Sequence, residues 1–226
     1  MSTRVYLVRH GATVLSAEDR FAGAVDVLLS DEGRNQARHL GIRLASEPLV
    51  AVYASPMTRT METAALASEP HGLPVTPVDA IREIAHGRWE GMTRKDVERE
   101  FKEEYERYED DPFTFAPVGG ESGLQVTARA LPALLDLVLK HDGARFLVVS
   151  HKATIRLILS SLLGFDPRKY RDRLDQAPAA LNILDFKTVG QARLTLFNDT
   201  SHYTTAEAAL PPVPRGRLSK TWSEKV

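Results

Sequence analysis

The chain has 226 residues, of which 43% are hydrophobic and 26% charged, enough apolar material to build the core of one globular domain. Its 29 basic and 30 acidic residues nearly balance and are spread along the chain, so we expect no nucleic-acid partner. The absence of cysteine excludes a disulfide framework and a thiolate zinc site. No apolar run is long enough to span a bilayer, and the N-terminus MSTRVYLV leaves no room for a secretory signal, which predicts a cytoplasmic protein with no membrane partner.

Strands and helices alternate in the first half of the chain. Apolar runs, N-cap residues and a proline suited to a first helical turn predict the elements in this order: a strand at 4–8, a helix at 30–45, a strand at 49–54, a helix at 55–69 and a strand at 73–78. Such alternation is typical of an α/β protein with a largely parallel sheet.

The second half opens with a charged segment and continues the alternation. Periodicity predicts a charged helix within 92–111, a helix at 122–140, a strand at 146–150, a helix at 152–163, and strands at 182–186 and 192–197. The last two strands flank a turn at Gly190, which predicts a hairpin at the sheet edge with one strand running against the others.

Two of the predicted strands run directly into a histidine. They are LVRHG at 7–11 and LVVSHKAT at 147–154. One histidine at a strand end is more often a structural hydrogen-bond partner than a catalytic group. Two of them at the carboxyl edge of one parallel sheet can converge in a single crevice. Neighbouring strand ends add three candidates for the same crevice, namely Arg9, Arg59 and Glu83.

This set of side chains fits phosphoryl transfer to a histidine. A neutral imidazole such as His10 is a competent nucleophile, and arginine forks bind phosphate oxygens and neutralise the charge of the transition state. A carboxylic acid such as Glu83 supplies the proton that a leaving alkoxide needs. We expect Gly11 to let the backbone approach the phosphate, and the helix that starts at Lys152 to direct an amide towards the anion.

The ordered combination of motifs resembles the histidine phosphatase superfamily, in the branch of cofactor-dependent phosphoglycerate mutases and many small phosphatases. The resemblance covers about residues 4–165 and rests on these matches: Arg9-His10-Gly11, Ser55-Pro56 with Arg59, Arg82-Glu83, Trp89-Glu90-Gly91, Gly119-Gly120-Glu121-Ser122 and Ser150-His151. It implies a phosphoglycerate mutase-like, three-layer α/β/α sandwich around a mainly parallel sheet. We expect one domain at 1–205, a small lid-like insert at 92–120 and a C-terminal tail at 206–226.

The resemblance also implies roles for matching residues, and no metal or other cofactor. The implied catalytic residues are the nucleophile His10, the proton donor Glu83 and His151, which completes the phosphate pocket with Arg9 and Arg59. Two positions depart from the pattern, because many relatives carry Asn at the position of Ser16 and Gln at that of Ala22. Ser16 can still donate one hydrogen bond to phosphate, whereas Ala22 cannot.

The reaction is expected to be hydrolysis of a small-molecule phosphomonoester through a phosphohistidine intermediate. The segment between Gly91 and Gly119 is short, and HGRWEGMT resembles phosphatases more than mutases. Phosphoglycerate mutase and a non-catalytic phosphate-ligand binding protein of the same fold remain alternatives. A metal-dependent hydrolase with His10, His86 and His151 as ligands is disfavoured, because no HxH or HExxH spacing accompanies them.

Two further stretches of the sequence indicate the class of substrate. REIAHGRWEGM at 82–92 and NDTSHY at 198–203 resemble metal-independent phosphoserine phosphatases, which implies phosphoserine or another phosphorylated carboxylic acid. His86 and Lys152 are the candidates to meet that carboxylate, since both offer positive charge or N–H donors. Alternatively, His86 only fixes its loop and Lys152 is solvated. For the assembly, we expect a homodimer through an exposed strand edge.

Overall fold

The computed structural model describes residues 2–14 and 20–204. Within these ranges the strands are β1 Thr3–Arg9, β2 Leu49–Ala54, β3 Val75–Pro77, β4 Arg145–Ser150, β5 Leu181–Thr188 and β6 Gln191–Asp199. The helices are α1 Asp31–Leu44, α2 Thr58–Ser68, α3 Arg94–Glu100, α4 Lys102–Asp110, α5 Gly123–Lys140, α6 Lys152–Leu163 and α7 Tyr170–Arg173. Ser16 and the predicted tail at 206–226 lie outside the described residues.

The strands form one sheet in the order β3-β2-β4-β1-β5-β6. β1, β2, β3 and β4 run parallel to one another, whereas β5 runs antiparallel to both β1 and β6. The mainly parallel sheet and the C-terminal hairpin with one opposed strand are therefore confirmed. Because β1, β2 and β4 are parallel, their carboxyl ends lie at the same edge of the sheet.

Helices cover both faces of the sheet. Val5 and Leu7 of β1 lie in a buried cluster with side chains of α5 and α6. Tyr6 and Val8, which point to the opposite face, lie in a second buried cluster with side chains of α1 and α2. The predicted three-layer α/β/α sandwich is confirmed.

Helix α2 begins at Thr58, later than the predicted start at 55. Its N-cap, Met57, makes no capping hydrogen bond with its side chain. Asp26 supplies the cap from a distant loop, since its carboxylate accepts from the Thr58 amide at 2.9 Å and from the Thr58 hydroxyl. Ser55 stays outside the helix, where its hydroxyl contacts His151. Long-range contacts therefore set this boundary, and they also tie the loop around residue 26 to α2.

The charged segment predicted as one helix is divided into α3 and α4. Phe101 separates them with non-helical backbone angles of φ −129° and ψ 46°, and its ring packs against a buried cluster beside the sheet. We call the contacting rings of Phe21, His86, Trp89 and Tyr108 the aromatic wall. In the described ranges, no helix has the length and apolarity to cross a membrane.

Candidate active site

The carboxyl ends of the parallel strands open into a cleft of about 220 Å³. Of the residues singled out in the sequence, the structure brings six together on its surface, namely Arg9, His10, Arg59, Glu83, His86 and Lys152. We call Arg9, His10 and Arg59 the floor of the cleft. Ala22 and Val27 add apolar side chains to the lining.

His10 follows β1 directly and is held in one tautomer. Its Nδ1 lies 2.8 Å from the carbonyl oxygen of Gly11, which can only accept, so Nδ1 carries the proton. The His10 backbone is fixed on both sides, because its amide donates to Ser150 O and its carbonyl accepts from Ala179 N, each at 3.0 Å. The unprotonated Nε2 is therefore the nitrogen left for chemistry in the cleft.

Gly11 is required for packing rather than for approach to a phosphate. A Cβ atom at this position would lie 2.5 Å from the carbonyl oxygen of Gly33 in α1. The Gly11 amide donates to Thr63 Oγ1 at 3.1 Å, so it is already bound within the protein. The expectation that Gly11 contacts an anion therefore finds no support in its hydrogen bonds.

Arg59 lies beside His10 near the start of α2 and is only 3% exposed. Its Nη1 donates to Val25 O at 2.8 Å and its Nη2 to Gly23 O at 2.9 Å. Each Nη atom carries two N–H groups, so one on each remains for an anion. Because the fork is fixed by these carbonyls, the charge is positioned before any ligand binds.

His151 lies behind the floor and not on the cleft surface. The residue is fully buried, and its ring centroid is 5.3 Å from that of His10. Its Nδ1 accepts from Arg59 Nε at 3.3 Å, and its Nε2 therefore donates to Ser55 Oγ at 2.8 Å. With both nitrogens bound to protein atoms, His151 is placed to orient Arg59 and to limit the movement of the His10 ring.

His10 and His151 are both neutral at physiological pH. Burial, followed by the charges of Arg9 and Arg59, holds the pKa of His10 well below its ordinary value. Burial and the neighbouring His10 and Arg59 lower the pKa of His151 in the same way. A neutral His10 is the form in which an imidazole is nucleophilic.

Arg9 is held by a carbonyl from the connection between α7 and β5. Its Nη1 donates to Gln176 O at 2.6 Å, while its Nε has no hydrogen-bond partner in the part of the chain that is described. Burial, with a further contribution from Arg156, lowers the pKa of Arg9 to about 10, so it remains a cation at neutral pH.

The carbonyl that receives Arg9 is itself fixed by a buried amide pair. Gln176 Nε2 donates to Asn182 Oδ1 at 3.0 Å, and Asn182 Nδ2 donates back to Gln176 Oε1 at 2.8 Å. Asn182 Nδ2 also donates to Leu7 O in β1, the strand that carries Arg9. Sequence reasoning missed both residues; the only signal was a polar Asn182 among the apolar residues of β5.

Glu83 lies at the N-terminus of α6. Its carboxylate accepts from the amides of Ala153 and Thr154 and from the Thr154 hydroxyl, each at 3.1 Å. The positive end of the helix dipole therefore faces this carboxylate. These donors orient both oxygens at the cleft, and one oxygen has to turn towards the substrate to take part in a proton transfer.

Arg129 fixes the backbone that carries Glu83, and sequence reasoning missed it. Its guanidinium binds the Glu121 carboxylate through two bonds of 2.8 Å. The other donors reach three backbone carbonyls, those of Ala80 at 2.7 Å, Arg82 at 2.9 Å and Glu83 at 3.1 Å. All five N–H groups of Arg129 are thus used, and the Glu121 of the GGES motif serves to hold it.

His86 lies in the aromatic wall and cannot offer a positive charge. Its ring meets Phe21 edge-on at 4.8 Å, and its Nδ1 has no hydrogen-bond partner among the described residues. Burial, followed by the charges of Arg94 and Arg171, lowers the pKa of His86 to about 3. The expectation of a cation at this position is therefore wrong at neutral pH, and only an N–H donor remains.

Lys152 also lines the cleft and is paired rather than simply solvated. Its side chain is 42% exposed, and its Nζ lies 3.6 Å from Asp175 Oδ1. Burial, followed by the charges of Arg156 and Arg9, lowers the pKa of Lys152 to about 8. The lysine therefore remains mostly protonated at neutral pH.

A metal-dependent hydrolase would need the side chains that bind its metal to lie close together. Among the described residues, no three His, Asp or Glu side chains are grouped closely enough to hold a metal ion. His10 and His151 are neighbours, but their bonds to Gly11, Ser55 and Arg59 already use three of their four ring nitrogens.

Comparison with known sequences agrees with this geometry. Phosphoserine phosphatase 1 from Hydrogenobacter thermophilus is 34% identical over 167 residues, which are 74% of this chain and 79% of that protein. The glucosyl-3-phosphoglycerate phosphatase from Mycolicibacterium vanbaalenii is 33% identical over 168 residues, covering 71% of this chain and 74% of that protein.

Solved structures share the fold as well. YhfR from Bacillus stearothermophilus superposes with a TM-score of 0.83 at 28% identity, covering 88% of this chain and 98% of that one. The family model of the histidine phosphatase superfamily, branch 1, matches residues 5–200, which include the floor, Glu83 and His151. The chain therefore belongs to the histidine phosphatase superfamily.

Proposed function

We propose that this protein is a metal-independent phosphatase that hydrolyses a small-molecule phosphomonoester through a phosphohistidine at His10. The observation that carries the proposal is the bond from His10 Nδ1 to Gly11 O, which leaves an unprotonated Nε2 in a cleft between Arg9 and Arg59. A nucleophile flanked by two cations matches the needs of phosphoryl transfer.

In the first step, the lone pair of His10 Nε2 attacks phosphorus, and the bond from phosphorus to the ester oxygen breaks. The N–H groups of Arg9 and Arg59 bind the phosphoryl oxygens and balance their charge. The departing ester oxygen takes a proton from Glu83 and leaves as an alcohol.

In the second step, a water molecule attacks the phosphorus of phosphohistidine. The Glu83 carboxylate accepts the proton of that water, the bond from Nε2 to phosphorus breaks, and inorganic phosphate leaves. His10 and protonated Glu83 are then restored for the next cycle. Charge neutralisation comes from the two arginines throughout, which is the basis for proposing metal independence.

Phosphoserine or another phosphorylated carboxylic acid is the proposed substrate class. The two similar phosphatases are named for phosphoserine and for glucosyl-3-phosphoglycerate, and each of these compounds carries both a phosphate and a carboxylate. This support comes from relatives, whereas the phosphohistidine mechanism rests on the residues of this chain.

The test is a comparison of His10→Ala with wild type in buffer that contains EDTA. Phosphate release is measured on phosphoserine, 3-phosphoglycerate, sugar phosphates and nucleotides, with His39→Ala, an exposed histidine of α1, as the control. We expect wild type and the control to be active and His10→Ala to lose about 10⁴-fold or more. Rapid quenching followed by mass spectrometry at neutral pH should find phosphate on His10.

Each alternative gives a distinct result. Transfer of the phosphoryl group to a second phosphoglycerate position, rather than to water, would identify a mutase. Tight phosphate binding without turnover of any compound would identify a binding protein. Activity that EDTA removes and a divalent metal restores would contradict the metal-independent mechanism.

A further inference from the structure

Cations outnumber carboxylates next to the floor of the cleft. Arg156 Nη2 lies 3.1 Å from Asp175 Oδ1, and Lys152 Nζ lies 3.6 Å from the same oxygen. We call Lys152, Arg156 and Asp175 the charged rim. Two cations share a single carboxylate there, so the rim carries one unbalanced positive charge in the free protein.

Besides Asp175, the carboxylate of Glu83 also acts on Arg156 and Arg9, but one donor of Arg156 is left without an acceptor in the described part of the chain. The Arg156 side chain is only 12% exposed, and its Nε has no hydrogen-bond partner among residues 2–14 and 20–204. Arg9 is a third cation nearby: the charge of Arg156 lowers the pKa of Arg9, and the charges of Arg156 and Arg9 lower the pKa of Lys152. Buried N–H donors without acceptors are costly, so a bound anion would be stabilised here.

We propose that the charged rim is the subsite for a carboxylate on the same small molecule whose phosphoryl group binds at the floor. Lys152 lines the cleft directly, and Arg156 supports it from the next turn of α6. Asp175 is the resident counter-ion, which holds the two cations when no ligand is present and competes with the ligand for them. This inference rests on the proposed function, since it needs the phosphoryl group at His10.

The charge balance favours a carboxylate over a second phosphate. One negative charge, that of a carboxylate, neutralises the net positive charge of the rim. A phosphate with nearly two negative charges would leave an excess of negative charge beside Asp175. His86 cannot serve the same purpose, because it is neutral and lies among aromatic rings. Arg20 is a further cation in the lining of the cleft, but the rim is the cationic group that adjoins Arg9 of the floor, and we assign to it the distinction between phosphate esters with a carboxylate and those without one.

The test compares 3-phosphoglycerate with glycerol 3-phosphate, which has a hydroxymethyl group in place of the carboxylate. Binding to the His10→Ala protein is measured by calorimetry, so the result does not depend on turnover. The variants are Lys152→Met and Asp175→Asn in that background, with the exposed Lys187→Met and Asp172→Asn as matched controls. A three-carbon bisphosphate without a carboxylate is the third ligand.

We expect the His10→Ala protein to bind 3-phosphoglycerate about 10-fold more tightly than glycerol 3-phosphate. Lys152→Met should remove most of that preference. Asp175→Asn should increase it about 3-fold or more, because the competing carboxylate is gone, and the two controls should leave it unchanged. The increase in Asp175→Asn is informative because a damaged fold would weaken binding.

Three results would overturn the proposal. One is equal binding of 3-phosphoglycerate and glycerol 3-phosphate, and another is a loss in Lys152→Met that is the same for both ligands. The third is tighter binding of the bisphosphate than of 3-phosphoglycerate, which would replace the carboxylate by a second phosphate. If these ligands bind as expected but wild type releases no phosphate from any ester, the charged rim stands and the proposed phosphatase function fails.

Discussion

His10 on the floor, His151 directly behind it and His86 in the aromatic wall are all neutral, yet their surroundings differ. His10 and His151 each form hydrogen bonds that define which ring nitrogen carries the proton. His86 has aromatic rings around it, and its Nδ1 has no partner among the described residues. Burial is the largest cause of the lowered pKa at all three residues, so a lowered pKa alone does not mark a catalytic histidine.

The difference shows what a nucleophilic histidine needs beyond a neutral ring. On the floor, polar partners orient the imidazole and two arginines surround it, so a phosphoryl group meets a lone pair and positive charge together. In the wall, the ring contributes shape and one N–H donor. Substitutions on the floor should therefore affect every phosphate ester, whereas changes at His86 should affect stability first.

Among substitutions that leave the nucleophile in place, the largest effect is expected from Arg59→Lys, which disrupts the floor. A lysine has one terminal nitrogen on a flexible stem and cannot bind Gly23 O, Val25 O and His151 Nδ1 together. We expect kcat/KM to fall about 10³-fold for all phosphomonoesters, measured by phosphate release. The exposed Arg38→Lys is the control, and a loss below 10-fold would mean that the floor tolerates a mobile charge.

A smaller and selective effect is expected from Glu83→Gln. Without a proton donor, kcat/KM for an alkyl ester such as glycerol 3-phosphate should fall about 10²-fold, while p-nitrophenyl phosphate should lose less than about 10-fold because its leaving group needs no proton. Melting temperatures are compared in parallel, since Glu83 also accepts from α6 amides. Equal losses on both esters would assign Glu83 to positioning alone.

The smallest effect on activity is expected from His86→Gln, whose main expected effect is on the pH dependence of the free energy of unfolding. The pKa of His86 is about 3 in the folded protein and about 6.5 when unfolded, so below pH 6.5 the unfolded chain binds the extra proton. Wild type should lose about 1.4 kcal/mol per pH unit relative to the variant between pH 6 and pH 4, measured by denaturant unfolding. If the free energies of unfolding of wild type and variant changed in parallel with pH, the pKa of His86 would be the same in the folded and unfolded chains, and the prediction would be wrong.

The sequence predicted the elements best where local patterns set the boundaries. The predicted β2 and α6 agree with the structure residue for residue, because β2 is a short apolar run and α6 follows directly from a strand and ends before Gly164. The start of α2 and the break at Phe101 depend on contacts from distant residues, Asp26 and the aromatic cluster. Such contacts leave no periodic signal in the sequence.

In the candidate site, too, local patterns predicted some residues, whereas others depend on contacts between distant parts of the chain. His10, Glu83 and Lys152 follow strands or begin a helix at one sheet edge, so parallel topology alone brings them to one cleft. The backbone carbonyl of Gln176 accepts from the Arg9 side chain, and Arg129 donates to three backbone carbonyls. Every residue has a backbone carbonyl, so the sequence carries no signal for such contacts. Their roles therefore became visible only with the geometry of the fold.

The central position of β1 in the sheet has a consequence for synthesis. Val5 pairs with Phe146 on one side and with Leu184 on the other, so both neighbours of the earliest strand are made much later. At about 5–20 residues per second, a ribosome needs roughly 10–40 s to produce them. During that time the apolar stretch VYLV has neither edge covered, which makes the nascent chain a candidate for chaperone binding. The residue proposed as nucleophile is thus translated well before the two strands that hold β1 in the sheet.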